Sequence, residues 1–173
     1  PVITMRSFAD EKKMTTFRLL LSSPVPLREI VFGKFLACMI VVTVMILISS
    51  YSIGFLFLLG EPELGPIVTG YLGVLLMAGC YVSVGVFASS LTDNQIVAAI
   101  LTFGFSLFMW VIGWAAQAAG PTTGQVLQFL SVVDHLDRFL KGMVDTSDLV
   151  YYLSFILLSL FLCHRVLDSN RWR

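Results

Sequence analysis

Residues 35–60 read FLACMIVVTVMILISSYSIGFLFLLG and contain no Asp, Glu, Lys, Arg or His. An α-helix rises about 1.5 Å per residue, and the hydrocarbon core of a bilayer is about 30 Å thick, so about 20 apolar residues can cross it. This stretch is long enough to do so. It therefore predicts a helix that crosses a membrane.

Three further stretches lack ionisable side chains, namely residues 64–92, 94–133 and 149–163. Hydrophobic residues make up 57% of the chain and charged residues 13%, about half of the roughly 25% of soluble domains. The sequence thus predicts an all-α integral membrane protein, a polytopic helical bundle forming one domain over residues 1–173. We place its four spans at about 30–59, 67–90, 96–117 and 148–166.

The distribution of Lys and Arg predicts the orientation, because cytoplasmic segments carry an excess of these residues. Four crossings place both ends of the chain on one side. That side holds nine cations, namely Arg6, Lys12, Lys13, Arg18, Arg28, Lys34, Arg165, Arg171 and Arg173, whereas the other holds Arg138 and Lys141. We therefore expect residues 1–29 and the tail 167–173 to be cytoplasmic. We also expect a plasma-membrane location, which in a bacterium is the inner membrane.

Residues 118–147 are expected to form an outer amphipathic segment rather than a simple loop. Apolar residues recur there at intervals of three and four, with polar residues between them, which is typical of a helix at a membrane interface. The apolar set is Val126, Phe129, Leu130, Val133, Leu136, Leu140 and Met143. The following Asp145-Thr146-Ser147-Asp148 predicts an N-terminal cap for the last span, with carboxylates at the positive helix end.

Small residues recur at a spacing of four in the second span, as Gly79 with Ser83 and Gly85 with Ser89. Such pairs allow helices to approach closely in lipid. They predict either packing within one subunit, which we favour, or a contact between two subunits.

Chemistry is sparse in the chain. It has no Walker A loop, since Gly33-Lys34 is followed by Phe35, and no spacing of residues that indicates a metal or haem site. His135 and His164 are expected to be interfacial side chains. A carrier driven by an ion gradient needs ionisable residues within the membrane, and the predicted span interiors have none. We predict no catalytic residue, no metal and no cofactor bound by this chain.

The cytoplasmic head contains a predicted helix over residues 10–21. Met14, Phe17, Leu20 and Leu21 lie on one side of it, and Pro24 and Pro26 end it. A short helix held parallel to the membrane either transmits motion from a soluble partner or lies passively at the interface. The residues alone do not decide between the two.

The chain resembles the ABC type-2 exporter permeases, and within them the branch of gliding-motility and nitrous-oxide-reductase-maturation permeases. The likeness lies in the segments Thr4–Lys13, Leu19–Val25, Ile30–Leu36, Lys141–Thr146 and Tyr151–Ser154 and in Arg171-Trp172-Arg173. The chain departs from the family pattern at Thr15, where the family usually has glycine, and at Arg18, where it usually has glutamate. The missing initial methionine, with Pro1 in its place, leads us to expect a fragment. The resemblance implies that this fragment holds the third to sixth of six spans.

The resemblance implies that residues 9–24 form a coupling helix that docks onto an ATP-binding cassette ATPase subunit, which binds the ATP and Mg²⁺. The residues expected to couple are Asp10, Glu11, Lys12, Lys13, Phe17, Arg18 and Leu21, with Asp93 in a second contact. The outer segment would match re-entrant helices that close the pathway. A second permease copy or a paralogue, and membrane lipid, are the other expected partners, and nucleic acid is not. The alternative is a membrane anchor that recruits a soluble enzyme without transport.

Overall fold

A computed structural model describes residues 1–9, 26–60, 63–118 and 120–171 of the chain. Within these ranges all regular structure is helical, and seven helices follow one another along the chain. They are α1 (Leu27–Ser49), α2 (Tyr51–Leu59), α3 (Leu64–Leu91), α4 (Gln95–Ala118), α5 (Pro121–Leu130), α6 (Val132–Leu140) and α7 (Thr146–Arg171). The predicted all-α fold is confirmed.

Four helical stretches of the described residues are long and apolar enough to cross a membrane, namely Leu27–Phe55, Leu64–Leu91, Gln95–Ala116 and Thr146–Ser169. A helix satisfies its backbone N–H and C=O groups internally, which lipid requires of any spanning segment. The chain is therefore a multi-pass membrane protein, as its charge-free stretches predict.

The first span begins earlier than predicted and is interrupted once. Helix α1 starts at Leu27, so the segment that leads into the span is part of the same helix. At Ser50 the hydroxyl donates to the Leu47 carbonyl at 2.6 Å, and the Ser50 amide donates to the Ile46 and Leu47 carbonyls, both at 3.1 Å. A serine hydroxyl that competes for helix carbonyls in this way often bends a helix.

The segment before α7 differs from the prediction, because it forms two helices instead of one. The chain leaves helical geometry at Ser131, whose φ of −76° and ψ of 115° are extended. Ser131 then caps α6, since its hydroxyl accepts from the Asp134 amide at 3.2 Å. The expected amphipathic character lies in α6, which buries Val132, His135 and Phe139.

The described residues fall into two compact units. One unit draws on the ranges 1–39, 79–107 and 154–173, and the other on 40–78 and 108–153.

In the second unit α6 lies directly against α3. A Cβ atom on Gly73 would come within 2.7 Å of the Phe139 Cβ and 2.9 Å of the Leu136 Cδ1. The Thr69 hydroxyl donates to the Phe139 carbonyl at 2.7 Å. Glycine is needed at residue 73 because only a residue without a side chain lets the two helices approach this closely.

Substituting Gly73 with alanine is expected to lower stability by about 1–3 kcal/mol, because the new methyl group overpacks the contact with α6. Gly104→Ala is the matched control, since a Cβ there meets nothing within 4 Å. The control is expected to raise stability by about 0.5–1 kcal/mol, as alanine does in a helix interior. Thermal unfolding of the two variants in detergent measures the difference. Equal melting temperatures would contradict the close contact.

Candidate functional site

The second unit contains a buried pair of ionisable side chains. His135 of α6 and Asp148 of α7 are 1% and 0% exposed, and His135 Nδ1 lies 2.5 Å from Asp148 Oδ1. The other ring nitrogen, His135 Nε2, lies 3.1 Å from the Phe129 carbonyl oxygen. Both nitrogens of the imidazole therefore have partners on different elements.

These contacts determine how many protons the pair holds. A carbonyl oxygen can only accept, so Nε2 must carry a hydrogen and donate it to Phe129. Two bare lone pairs would repel each other at 2.5 Å, so Nδ1 and Oδ1 share one further proton. The total charge of the pair is zero wherever that proton lies. A neutral pair is the arrangement that burial away from water favours.

Arg138 links the buried pair to the surface of the unit. Its Nη1 lies 3.2 Å from Asp148 Oδ1 and 3.9 Å from Asp145 Oδ2. Asp148 Oδ2 is buried, and no donor within the described ranges reaches it.

Two aromatic side chains of α7 lie next to the buried pair. The Tyr151 ring stacks on the His135 ring with 4.1 Å between centroids and 26° between planes. The Tyr151 hydroxyl donates to the Leu130 carbonyl at 2.7 Å, and the Tyr152 hydroxyl donates to the Val132 carbonyl at 2.8 Å. The two hydroxyls thus bracket Ser131, so α7 holds the junction between α5 and α6 from both sides.

Helix α4 also touches this junction. A Cβ atom on Gly113 would lie 2.7 Å from the Ser131 hydroxyl oxygen. The extended residue between α5 and α6 is therefore fixed by α4 and α7 together.

Asp145 caps α7 as predicted. Its Oδ1 accepts from the Ser147 amide at 3.2 Å. The hydrogen bonds from the backbone and side chain of Ser147, with a smaller contribution from Arg138, hold the pKa of Asp145 below its usual 3.8. The carboxylate is thus ionised at neutral pH, next to the positive end of the helix.

The prediction that His135 is an interfacial side chain is wrong, because His135 is buried. Asp148 lies in the first turn of α7, as predicted, and is also the buried partner of that histidine. The signal that would have shown the burial of His135 is the apolar face of α6. His135 shares that face with Val132 and Phe139, which are also buried.

Of the predicted coupling residues, the structure describes Asp93. Asp10, Glu11, Lys12, Lys13, Phe17, Arg18 and Leu21 lie outside the described residues. Asp93 is exposed in the loop between α3 and α4. The next residue, Asn94, caps α4 by accepting from the Ile96 amide at 2.9 Å.

The segment that leads into residues 10–25 is attached to the end of α3. The amides of Phe8 and Ala9 donate to the Ser89 hydroxyl oxygen at 2.9 and 3.1 Å, and that hydroxyl donates to the Met5 carbonyl at 3.1 Å. A Cβ atom on Gly85 would overlap the Thr4 side chain. Ala9, the residue before Asp10, therefore contacts Ser89. Asp93 follows Ser89 by four residues in the sequence.

The other predicted pair of small residues on α3, Gly79 and Ser83, also has contacts within this chain. A Cβ atom on Gly79 would lie 2.9 Å from the Ile156 Cδ1, and the Ser83 hydroxyl donates to the Cys80 carbonyl at 2.8 Å. A contact of these residues with a second subunit stays a prediction.

Residues 2–166 match the family model described as ABC-2 family transporter protein. The chain belongs to this family. Its members are transmembrane permease components of ATP-binding cassette transporters and generally work with an ATPase partner. No curated protein and no solved structure gives a significant match to this chain. The family predicted from the sequence is confirmed, whereas the gliding-motility branch stays a prediction.

Asp148→Ala is expected to loosen α6, because it leaves His135 Nδ1 and Arg138 without their buried partner. Breaking a buried pair in this way costs about 3–5 kcal/mol. Hydrogen exchange of the α6 amides should therefore become much faster. The control is Asp137→Ala, which removes an exposed carboxylate that contacts Lys141 at 2.6 Å and contributes about 0.3–0.5 kcal/mol. Equal exchange in the two variants would show that the pair does not hold α6.

Proposed function

We propose that this chain is the transmembrane permease subunit of an ATP-binding cassette exporter. The observation that carries the proposal is the family match over residues 2–166, on a chain with four helices that can cross a membrane. In this proposal the chain lines the pathway, and a separate ATPase subunit binds ATP and Mg²⁺ and hydrolyses the ATP. A second copy or a paralogue completes the pathway.

Residues 9–24 are the proposed coupling segment, with Asp93 in a second contact. The hydrogen bonds of Phe8 and Ala9 to Ser89 support this, because they tie the start of the segment to the last turn of α3. Lys34 of α1 adds a second tie, since its Nζ donates to the Ser7 carbonyl at 2.5 Å. A force on the segment would thus reach two spans directly.

The helix pair α5–α6 is the proposed element that closes the pathway. The contacts of His135, Tyr151 and Tyr152 support this, because they make the pair follow any displacement of the first turns of α7. ATP binding then shifts the population between two arrangements of the spans.

The proposed location is the inner membrane of a bacterium, with residues 1–29 and the C-terminal tail in the cytoplasm. The nine-to-two distribution of Lys and Arg supports this orientation. The narrower likeness of the sequence is to the gliding-motility and nitrous-oxide-reductase-maturation permeases.

In the double variant Glu11→Lys with Phe17→Ala, the amount of ATPase that co-purifies with the tagged chain is expected to fall at least about tenfold. A charge reversal combined with the loss of an aromatic anchor typically removes more than 1.4 kcal/mol of docking energy. Membrane insertion should be unchanged, because neither residue belongs to a span predicted from the sequence.

Glu63→Lys is the matched control, as it reverses an exposed charge in the loop before α3. It is expected to leave co-purification as it is. Full recovery of the ATPase with the double variant would contradict the assignment of residues 9–24 to coupling.

A further inference from the structure

A cleft of about 320 Å³ lies between α1 and α7 in the first unit. On α1 it is lined by Arg28, Val31 and Phe32. On α7 it is lined by Leu157, Leu160, Phe161 and His164. Its volume is at the lower end of the roughly 300–1,000 Å³ typical of small-molecule sites.

The spacing of the lining residues makes the cleft a regular feature of two helices. Residues 28, 31 and 32 of α1, and residues 157, 160, 161 and 164 of α7, follow the three- and four-residue intervals of one helix face. In each helix the residue at one end of the stripe is basic, and the others are apolar. Arg28 ends one stripe, and His164 ends the other.

The basic residues mark the edge of the predicted hydrocarbon region. His164 is the first ionisable residue after the charge-free stretch 149–163, and Arg28 is the second residue of α1. From His164 to Leu157 the helix runs about 10 Å at 1.5 Å per residue. The cleft therefore has a polar end at the membrane edge and an apolar part that extends into the hydrocarbon.

The apolar part is open on its side. Phe32, Leu157 and Phe161 are 48%, 58% and 54% exposed. In a membrane, exposed apolar walls of this kind contact acyl chains or another protein surface.

Charge decides between these two occupants. The Cζ atom of Arg165 lies 5.4 Å from the centroid of the Phe161 ring, which brings a second guanidinium next to the cleft. Among the described residues that line the cleft there is no carboxylate. The nearest acids along the chain are Glu29, which is exposed beside Arg28, and Asp168, one turn beyond His164. A basic end above an apolar slot complements a phosphate above an acyl chain.

We propose that this cleft binds an anionic phospholipid. One acyl chain lies between Phe32 and Leu157, and the phosphate lies at Arg28 and His164, with Arg165 beside it. Basic pockets between membrane helices bind lipid headgroups on this principle. The proposal rests on the cleft alone, and it holds whether or not the chain transports anything.

Native mass spectrometry of the full chain in detergent tests the proposal with two probes of equal acyl chains, phosphatidylglycerol and phosphatidylcholine. We expect tighter binding of phosphatidylglycerol, and Arg28→Gln should weaken it about fivefold, the effect of removing one cation near a headgroup. Arg28→Lys should retain it, since the charge remains. Lys141→Gln is the control, because it removes an exposed cation on another part of the chain.

A second variant tests the acyl chain. Leu157→Trp is expected to fill the slot and to weaken both lipids, while the melting temperature stays unchanged. Equal affinity for the two lipids would overturn the proposal. Full lipid binding by Leu157→Trp would also overturn it, and so would displacement of the lipid by inorganic phosphate alone. Either result would show that the cleft attracts an anion but has no site for an acyl chain. Cross-linking of Phe161→Cys between two copies at saturating lipid would assign the cleft to a protein contact and also overturn it.

Discussion

The hydrocarbon core of a bilayer offers no hydrogen bonds, and this constraint shapes every part of the chain that crosses the membrane. Backbone groups form their hydrogen bonds within helices, and hydroxyl groups of the spans donate to backbone carbonyls of the preceding turn of the same helix. Thr102 donates to the Ala98 carbonyl and Ser106 to the Thr102 carbonyl, both at 2.8 Å. Where a hydroxyl does not do this, it joins two elements, as Ser89 does at the end of α3.

The same constraint explains the buried pair on α6 and α7. An isolated charge in such a place would be costly, but His135 and Asp148 share one proton and are neutral together. Removing either partner leaves a polar group that neither water nor lipid can satisfy. The pair thus specifies where α6 meets α7, and the hydroxyls of Tyr151 and Tyr152 specify where α5 ends. The helix pair α5–α6 is thus held to the first turns of α7 by several contacts.

The spans were predictable because bilayer thickness translates directly into a length of uncharged sequence. The cap at Asp145 was predictable for a similar reason, since it depends on neighbours along the chain. The break at Ser131 and the burial of His135 were not predicted, because both depend on residues distant in sequence. Ser131 meets Gly113 of α4, and His135 meets Asp148 and Tyr151 of α7. The apolar set predicted from periodicity includes Val133, Leu136 and Leu140, whereas the face that α6 buries holds Val132, His135 and Phe139.

The family of the chain and the function proposed for it depend on different observations. The family rests on residues 2–166. The coupling segment rests on a likeness of sequence, together with the hydrogen bonds that tie residues 8 and 9 to α3. The lipid cleft rests on neither, because it follows from the spacing of apolar and basic residues on α1 and α7. Failure of the coupling assignment would leave the family intact, and the lipid cleft would stand without either of the other two assignments.

The central claim is that this chain works with a separate ATPase. The most direct measurement is a pull-down of the tagged, full-length protein from mild detergent, followed by quantitative mass spectrometry of the proteins that accompany it. The account predicts an ATP-binding cassette protein in stoichiometric amount. The absence of such a protein, with another soluble enzyme in its place at stoichiometric amount, would contradict the account and indicate a membrane anchor.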